Sequence, residues 1–184
     1  AEVRKPALPP CHAAGLPNSC RPSGMANATP QTVFFKRSHF ATHLPADALY
    51  SPSHYWLIRE PDGVWRVGFS KFAVRMLGDL VDQGFDVAEG AAIRPGTVLG
   101  WIEGFKAISD VYGVIDGTFR GGNPALKGRL ELINEDPYGA GWLYRAAGEP
   151  DRNCLPVSDY VNLLHATIDR MLAQQKDAPP DTAP

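Results

Sequence analysis

Tyr55-Trp56-Leu57-Ile58-Arg59-Glu60, then Pro61-Asp62-Gly63, then Val64-Trp65-Arg66-Val67-Gly68-Phe69: this stretch decides the fold class. The first six residues have strand composition, the next three are turn chemistry, and the last six return as a second strand, so an antiparallel hairpin is predicted. Immediately after it, Ser70 is placed to cap a short helix from Lys71 to Leu77, which Gly78 ends. Glycines then recur at Gly84, Gly90, Gly96, Gly100, Gly104, Gly113, Gly117, Gly121 and Gly122, with short apolar segments such as Thr97-Val98-Leu99 and Trp101-Ile102-Glu103 between them. Many short strands with frequent turns predict an all-β sandwich or barrel, and the absence of strand–helix alternation argues against a doubly wound α/β fold. Only the last segment changes period. Val157, Tyr160, Val161, Leu164, Ile168, Met171 and Leu172 recur at helical spacing, which predicts an amphipathic helix lying on the sheet layers.

Outside this region the chain changes character. Residues 1–30 hold six of the 17 prolines and two of the three cysteines and show no periodicity, so they are expected to be disordered, as is the proline-containing end, 174–184. The folded domain is expected over 31–173. Met25 is read as the native start, with residues 1–24 as upstream sequence. The segment has no apolar stretch of a secretory signal, and Arg4, Lys5 and Arg21 sit in no amphipathic repeat. The cytoplasm is therefore expected, with the mitochondrial matrix as the alternative. A net charge of −2 leaves no basic excess for nucleic acid. No apolar run approaches the roughly 18 residues needed to span a bilayer. Three cysteines are too few for a disulfide scaffold and suit a reducing compartment.

The common catalytic signatures are missing: no nucleophile elbow, zinc-protease pair, phosphate loop or dinucleotide fingerprint occurs. His39 and His43 are four apart but lack a third ligand, and are read as part of a solvated lead-in to the core. Cys154 has no motif around it and is read as a small buried hydrophobe. A free-standing enzyme using Cys154 with a histidine, and a binding domain that is never modified, are the weaker alternatives. One stretch differs. Glu103-Gly104-Phe105-Lys106-Ala107-Ile108-Ser109-Asp110 lies between two apolar β segments and puts Lys106 at a hairpin tip, with carboxylates three residues before and four after it.

That stretch resembles the lipoyl-attachment hairpin of the glycine cleavage H proteins. Three more blocks occur in the order found in that family. Ser53-His54-Tyr55-Trp56 resembles its Ser-His-Glu-Trp block, and Leu77-Gly78-Asp79-Leu80-Val81 its Leu-Gly-Asp-Ile-Val block. Leu132-Ile133-Asn134-Glu135-Asp136-Pro137-Tyr138-Gly139-Ala140-Gly141-Trp142-Leu143 matches its long Leu-Ile-Asn block at nearly every position. The resemblance covers about Tyr50 to Leu172. It implies two antiparallel sheets in a barrel-sandwich hybrid, with short flanking helices and a C-terminal helix. It further implies a non-catalytic carrier with lipoic acid on the Lys106 amine, where the protein supplies position and the cofactor supplies chemistry. Gly104 and Ala107 would keep the approach small. Glu103 and Asp110 would help a loading enzyme read the hairpin or face the cargo, and Ser53 and Tyr55 would face the cargo. The implied partners are a lipoate-protein ligase or octanoyl transferase, and then either the glycine cleavage enzymes, including dihydrolipoyl dehydrogenase, or a heterodisulfide-reductase-like complex. A monomer with transient interfaces is expected.

The departures from the family pattern concern the cargo. Tyr55 stands where the family usually has Glu, and Gly104-Phe105 where it usually has Ser-Val. An aminomethyl cargo is cationic and gains from a nearby carboxylate, which a neutral phenol does not provide. On this ground the reading leans to the H-protein-like lipoate-binding proteins of sulfur oxidation, with the aminomethyl carrier of glycine cleavage as the alternative.

Overall fold

The computed structural model describes residues 31–105 and 107–177, so the expectations for 1–30 and 178–184 lie outside the described residues. In chain order, β1 (Thr32–Arg37) and β2 (Phe40–Pro45) form a two-stranded ribbon, followed by β3 (Leu49–Tyr50), β4 (Tyr55–Arg59) and β5 (Trp65–Phe69). Helix α1 (Lys71–Leu77) leads into β6 (Leu80–Phe85), β7 (Ala92–Ile93), β8 (Val98–Gly104), β9 (Ile108–Tyr112) and β10 (Ile115–Gly122). Helix α2 (Leu132–Glu135), β11 (Tyr144–Pro150), β12 (Leu155–Pro156) and α3 (Val157–Asp177) complete the chain.

The predicted hairpin is β4–β5, with Tyr55 opposite Phe69 and Arg59 opposite Trp65. Gly68 lies opposite Trp56, and a Cβ there would stand 2.7 Å from the indole ring, so this strand position has no room for a side chain. Ser70 caps α1 by accepting the Ala73 N–H, and Gly78 ends it at φ 78°.

Around β4–β5 grows a seven-stranded antiparallel sheet in the order β12-β3-β4-β5-β11-β10-β7, open at both edges. A second sheet has the order β6-β8-β9. These are the two expected sheets, in a barrel-sandwich arrangement that does not close. The segments on either side of Gly100 are one strand, not two. A Cβ on Gly100 would lie 2.0 Å from the Gly84 carbonyl oxygen, so this glycine permits close backbone approach instead of making a turn.

Alternation along β4 separates two cores. Tyr55 and Leu57 face one, with Val67, Phe69, Leu99, Ile102, Phe119 and Tyr144. Trp56 faces the other, with Tyr50, Phe72, Tyr160, Leu164 and Ile168. Helix α3 closes the second core, and the Tyr160 ring stacks on Tyr50 with centroids 4.3 Å apart. The helix runs to Asp177, four residues past the expected boundary at 173. The long Leu-Ile-Asn block braces the same side. Its Pro137 carbonyl accepts the Trp56 indole N–H at 2.9 Å, and Asn123 donates to the Ala140 and Trp142 carbonyls.

His39 and His43 are exposed, as expected, but the segment that carries them is not a mere lead-in to the core. His43 lies in β2 opposite Phe34, with ring centroids 5.1 Å apart, and Phe35, Phe40 and Leu44 from the two strands enter the second core. Among the described residues no helix is long and apolar enough to cross a membrane.

Candidate functional site

Strands β8 and β9 pair as Trp101 with Asp110, Ile102 with Ser109 and Glu103 with Ile108. Beyond them the Gly104 N–H donates to the Ala107 carbonyl at 2.9 Å, which leaves two residues, 105 and 106, to make the reversal. Lys106 lies outside the described residues, but both its neighbours are described. Phe105 is 79% exposed and Ala107 is exposed. The base of the turn is anchored, because the Phe105 N–H donates to the Asp79 carbonyl at 3.1 Å. A Cβ on Gly104 would meet the Leu77 and Asp79 carbonyl oxygens at 3.1 and 3.3 Å, so glycine lets the hairpin lie against the α1–β6 connection.

Beside β9 is a shallow cleft of about 260 Å³. Ser53, Tyr55, Phe69, Met76, Asp110 and Tyr112 line it. Three of the candidates, Ser53, Tyr55 and Asp110, thus meet in one place. Glu103, Gly104 and Ala107 belong to the hairpin and not to the cleft lining. Glu103 is half-buried between Asp82 on β6 and Ile108 on β9.

Tyr55 is only 2% exposed and its ring leans on Phe69, with centroids 4.9 Å apart. Burial pushes its phenol up to about 12, so it stays neutral at physiological pH. Its hydroxyl accepts the Tyr112 N–H at 3.0 Å. The Tyr112 hydroxyl in turn donates to Asp110 Oδ2 at 3.0 Å. Tyr144 donates its hydroxyl to the Tyr112 carbonyl at 3.2 Å and accepts the Val114 N–H at 3.1 Å.

Tyr112 and Tyr144 are the residues that sequence reasoning missed. Alternation along β9 puts Asp110 and Tyr112 on one face, which was a usable signal for Tyr112. The reach of Tyr144 across two sheets had none. His54, in the opening block, adopts φ 67° and shares Nδ1 with the Tyr160 hydroxyl at 3.0 Å.

Cys154 is half-buried and free, in keeping with its reading as a small hydrophobe. Burial, with Asp151 nearby, pushes its thiol up to about 11, well away from thiolate at neutral pH. Among the described residues no group of three or more His, Cys, Asp or Glu could hold a metal ion.

The family profile described as Glycine cleavage H-protein matches residues 48–159. The glycine cleavage system H protein of Aeromonas hydrophila subsp. hydrophila is 38% identical over 128 residues, covering 67% of this chain and 97% of the relative. That of Escherichia coli O45:K1 is 33% identical over 136 residues, covering 73% of this chain and 99% of the relative. A crystal structure of a glycine cleavage system H protein from Mycobacterium marinum superposes with a TM-score of 0.60 at 32% identity, covering 66% of this chain and 99% of that one. The β1–β2 ribbon precedes the matched residues.

Proposed function

Because the chain belongs to the glycine cleavage H-protein family, we propose that it carries lipoate on Lys106 and moves the aminomethyl group derived from glycine between the glycine cleavage enzymes. H proteins are non-catalytic lipoyl carriers, and the chain is a carrier rather than an enzyme. The comparisons give no support to a role in sulfur oxidation or to a heterodisulfide-reductase-like partner, whereas the glycine cleavage alternative fits them.

The observation that carries the reading is the turn itself. Gly104 and Ala107 are joined by a hydrogen bond, and the residues on both sides of position 106 are exposed. An amine there is open to an activated acyl group held by a ligase or transferase, and forms an amide after losing its proton. Bound lipoate would supply a disulfide that opens as one sulfur takes up the one-carbon unit and the other becomes a thiol, leaving a dithiol once that unit has passed on. The chain anchors the base of the hairpin against the α1–β6 connection and offers the adjoining cleft to the loaded end of the arm. In that cleft Asp110 supplies the carboxylate that favours an ammonium group, and Ser53 adds a hydroxyl. The partners this reading requires are a lipoate-attaching enzyme and the glycine cleavage enzymes, including dihydrolipoyl dehydrogenase.

Two measurements test the reading. Intact mass after incubation with a lipoate ligase should show one lipoyl adduct on the natural sequence and none on Lys106→Arg, which keeps the charge but loses the acylatable amine. An adduct on Lys106→Arg would refute the attachment site. Reconstitution with glycine decarboxylase should then give glycine-dependent release of carbon dioxide. A lipoylated protein that supports no such release would refute the glycine cleavage role while leaving attachment intact.

A further inference from the structure

Tyr112 ends the strand that descends from the attachment turn, and both its main-chain groups are bound by phenols of the other sheet. Its N–H donates to Tyr55 and its carbonyl accepts from Tyr144. Its own hydroxyl holds Asp110, and Asp110 is the carboxylate among the residues lining the cleft. Tyr55 replaces the glutamate usual in the family, so this cleft has a structural phenol where a second carboxylate would stand. We propose that Tyr55 and Tyr112 are positioning residues that fix Asp110 at the cleft, so that a single oriented carboxylate meets the ammonium of a loaded arm.

The inference rests on the aminomethyl reading above and assigns the charge recognition to one relay, Tyr55 to Tyr112 to Asp110. Its consequence is chemical. An aminomethyl thioether decays through its free amine. The nitrogen lone pair forms a C=N bond as the C–S bond breaks and its electron pair goes to sulfur. Water then converts the released iminium to formaldehyde and ammonia. A carboxylate held at the ammonium keeps the proton on nitrogen and slows the first step. The other titratable groups facing this space are His54, Tyr55 and Tyr112. Burial pushes His54 down to about 4 and Tyr55 up to about 12, so both are neutral where the amine titrates.

The test loads the lipoylated full chain with glycine and glycine decarboxylase, removes the enzyme, and follows formaldehyde release against pH. Tyr112→Phe should speed release by about threefold to tenfold and move the rising limb of the profile to lower pH, in keeping with the loss of one hydrogen bond. Asp110→Asn should have a larger effect, and adding Tyr112→Phe to it should change nothing further. Independently of cargo, Tyr55→Phe should accelerate hydrogen exchange at the Tyr112 amide by about tenfold or more. Unchanged release and pH profile in Tyr112→Phe, or additive effects with Asp110→Asn, would overturn the proposal. So would unchanged exchange at Tyr112 in Tyr55→Phe. A natural protein that is lipoylated but takes no cargo from glycine would overturn the aminomethyl reading, and this relay's role with it, whatever the exchange data show.

Discussion

Gly68 and His54 show how single residues fix this structure. A methyl group on Gly68 would press into the Trp56 ring, which is fully buried and tied by its N–H to Pro137, so the ring has nowhere to retreat. Gly68→Ala should therefore cost about 1–3 kcal/mol, read as a lower midpoint in urea with an unchanged slope. His54 sits between Phe72 and Tyr160, and burial lowers its pKa to about 4. An unfolded histidine takes its proton near pH 6.5, so between about 6.5 and 4 the unfolded chain binds more protons than the folded one, and stability falls as pH falls. Above that window the residue contributes no pH dependence. Urea titrations across it should show a shallower loss in His54→Asn than in the natural protein, since asparagine tolerates the left-handed backbone and does not ionise.

Between neighbouring elements, hydroxyl groups act as fasteners. Tyr160 of α3 donates to Ser70 at 2.8 Å, and Ser70 is the buried cap of α1. Tyr160→Phe leaves the Ser70 and His54 partners unmet and should cost about 1–3 kcal/mol, measured by thermal or urea unfolding. The strands around Pro61-Asp62-Gly63, the capped helix α1 and the periodic helix α3 were legible because each follows a local rule of turn, cap or spacing. The β1–β2 ribbon was not. Its reversal uses Ser38 at φ 52°, without the glycine or asparagine that usually marks such a turn, and the histidine spacing hid its alternation. Gly100 misled for the complementary reason: a glycine forced by contact between backbones looks, in sequence, like a glycine placed at a turn. The β8–β9 hairpin stood out through its resemblance to a family, because a lone lysine between carboxylates is ordinary surface chemistry. The relay through Tyr112 depends on contacts between residues 57 and 32 positions apart, which no local pattern encodes.

Across the whole molecule, the ribbon and α3 behave as one back layer. The Arg37 guanidinium grips the Asp169 carboxylate, and Phe35 lies 4.9 Å from the His165 ring. That ion pair is half-exposed and contributes little, about 0–1 kcal/mol. The apolar contacts dominate. Removing residues 31–47 should strip cover from Phe72, Tyr160 and Ile168, lowering the melting temperature by several degrees or more and raising the binding of hydrophobic dyes. Lipoylation of the shortened chain by the ligase should persist, because the β8–β9 hairpin proposed to carry the lipoyl group belongs to the other core. β4 thus works as a party wall, with Tyr55 on the side of the cleft proposed to receive cargo and Trp56 on the side backed by α3 and the ribbon. Remodelling on the far side of that partition should therefore leave the dimensions of the cleft intact.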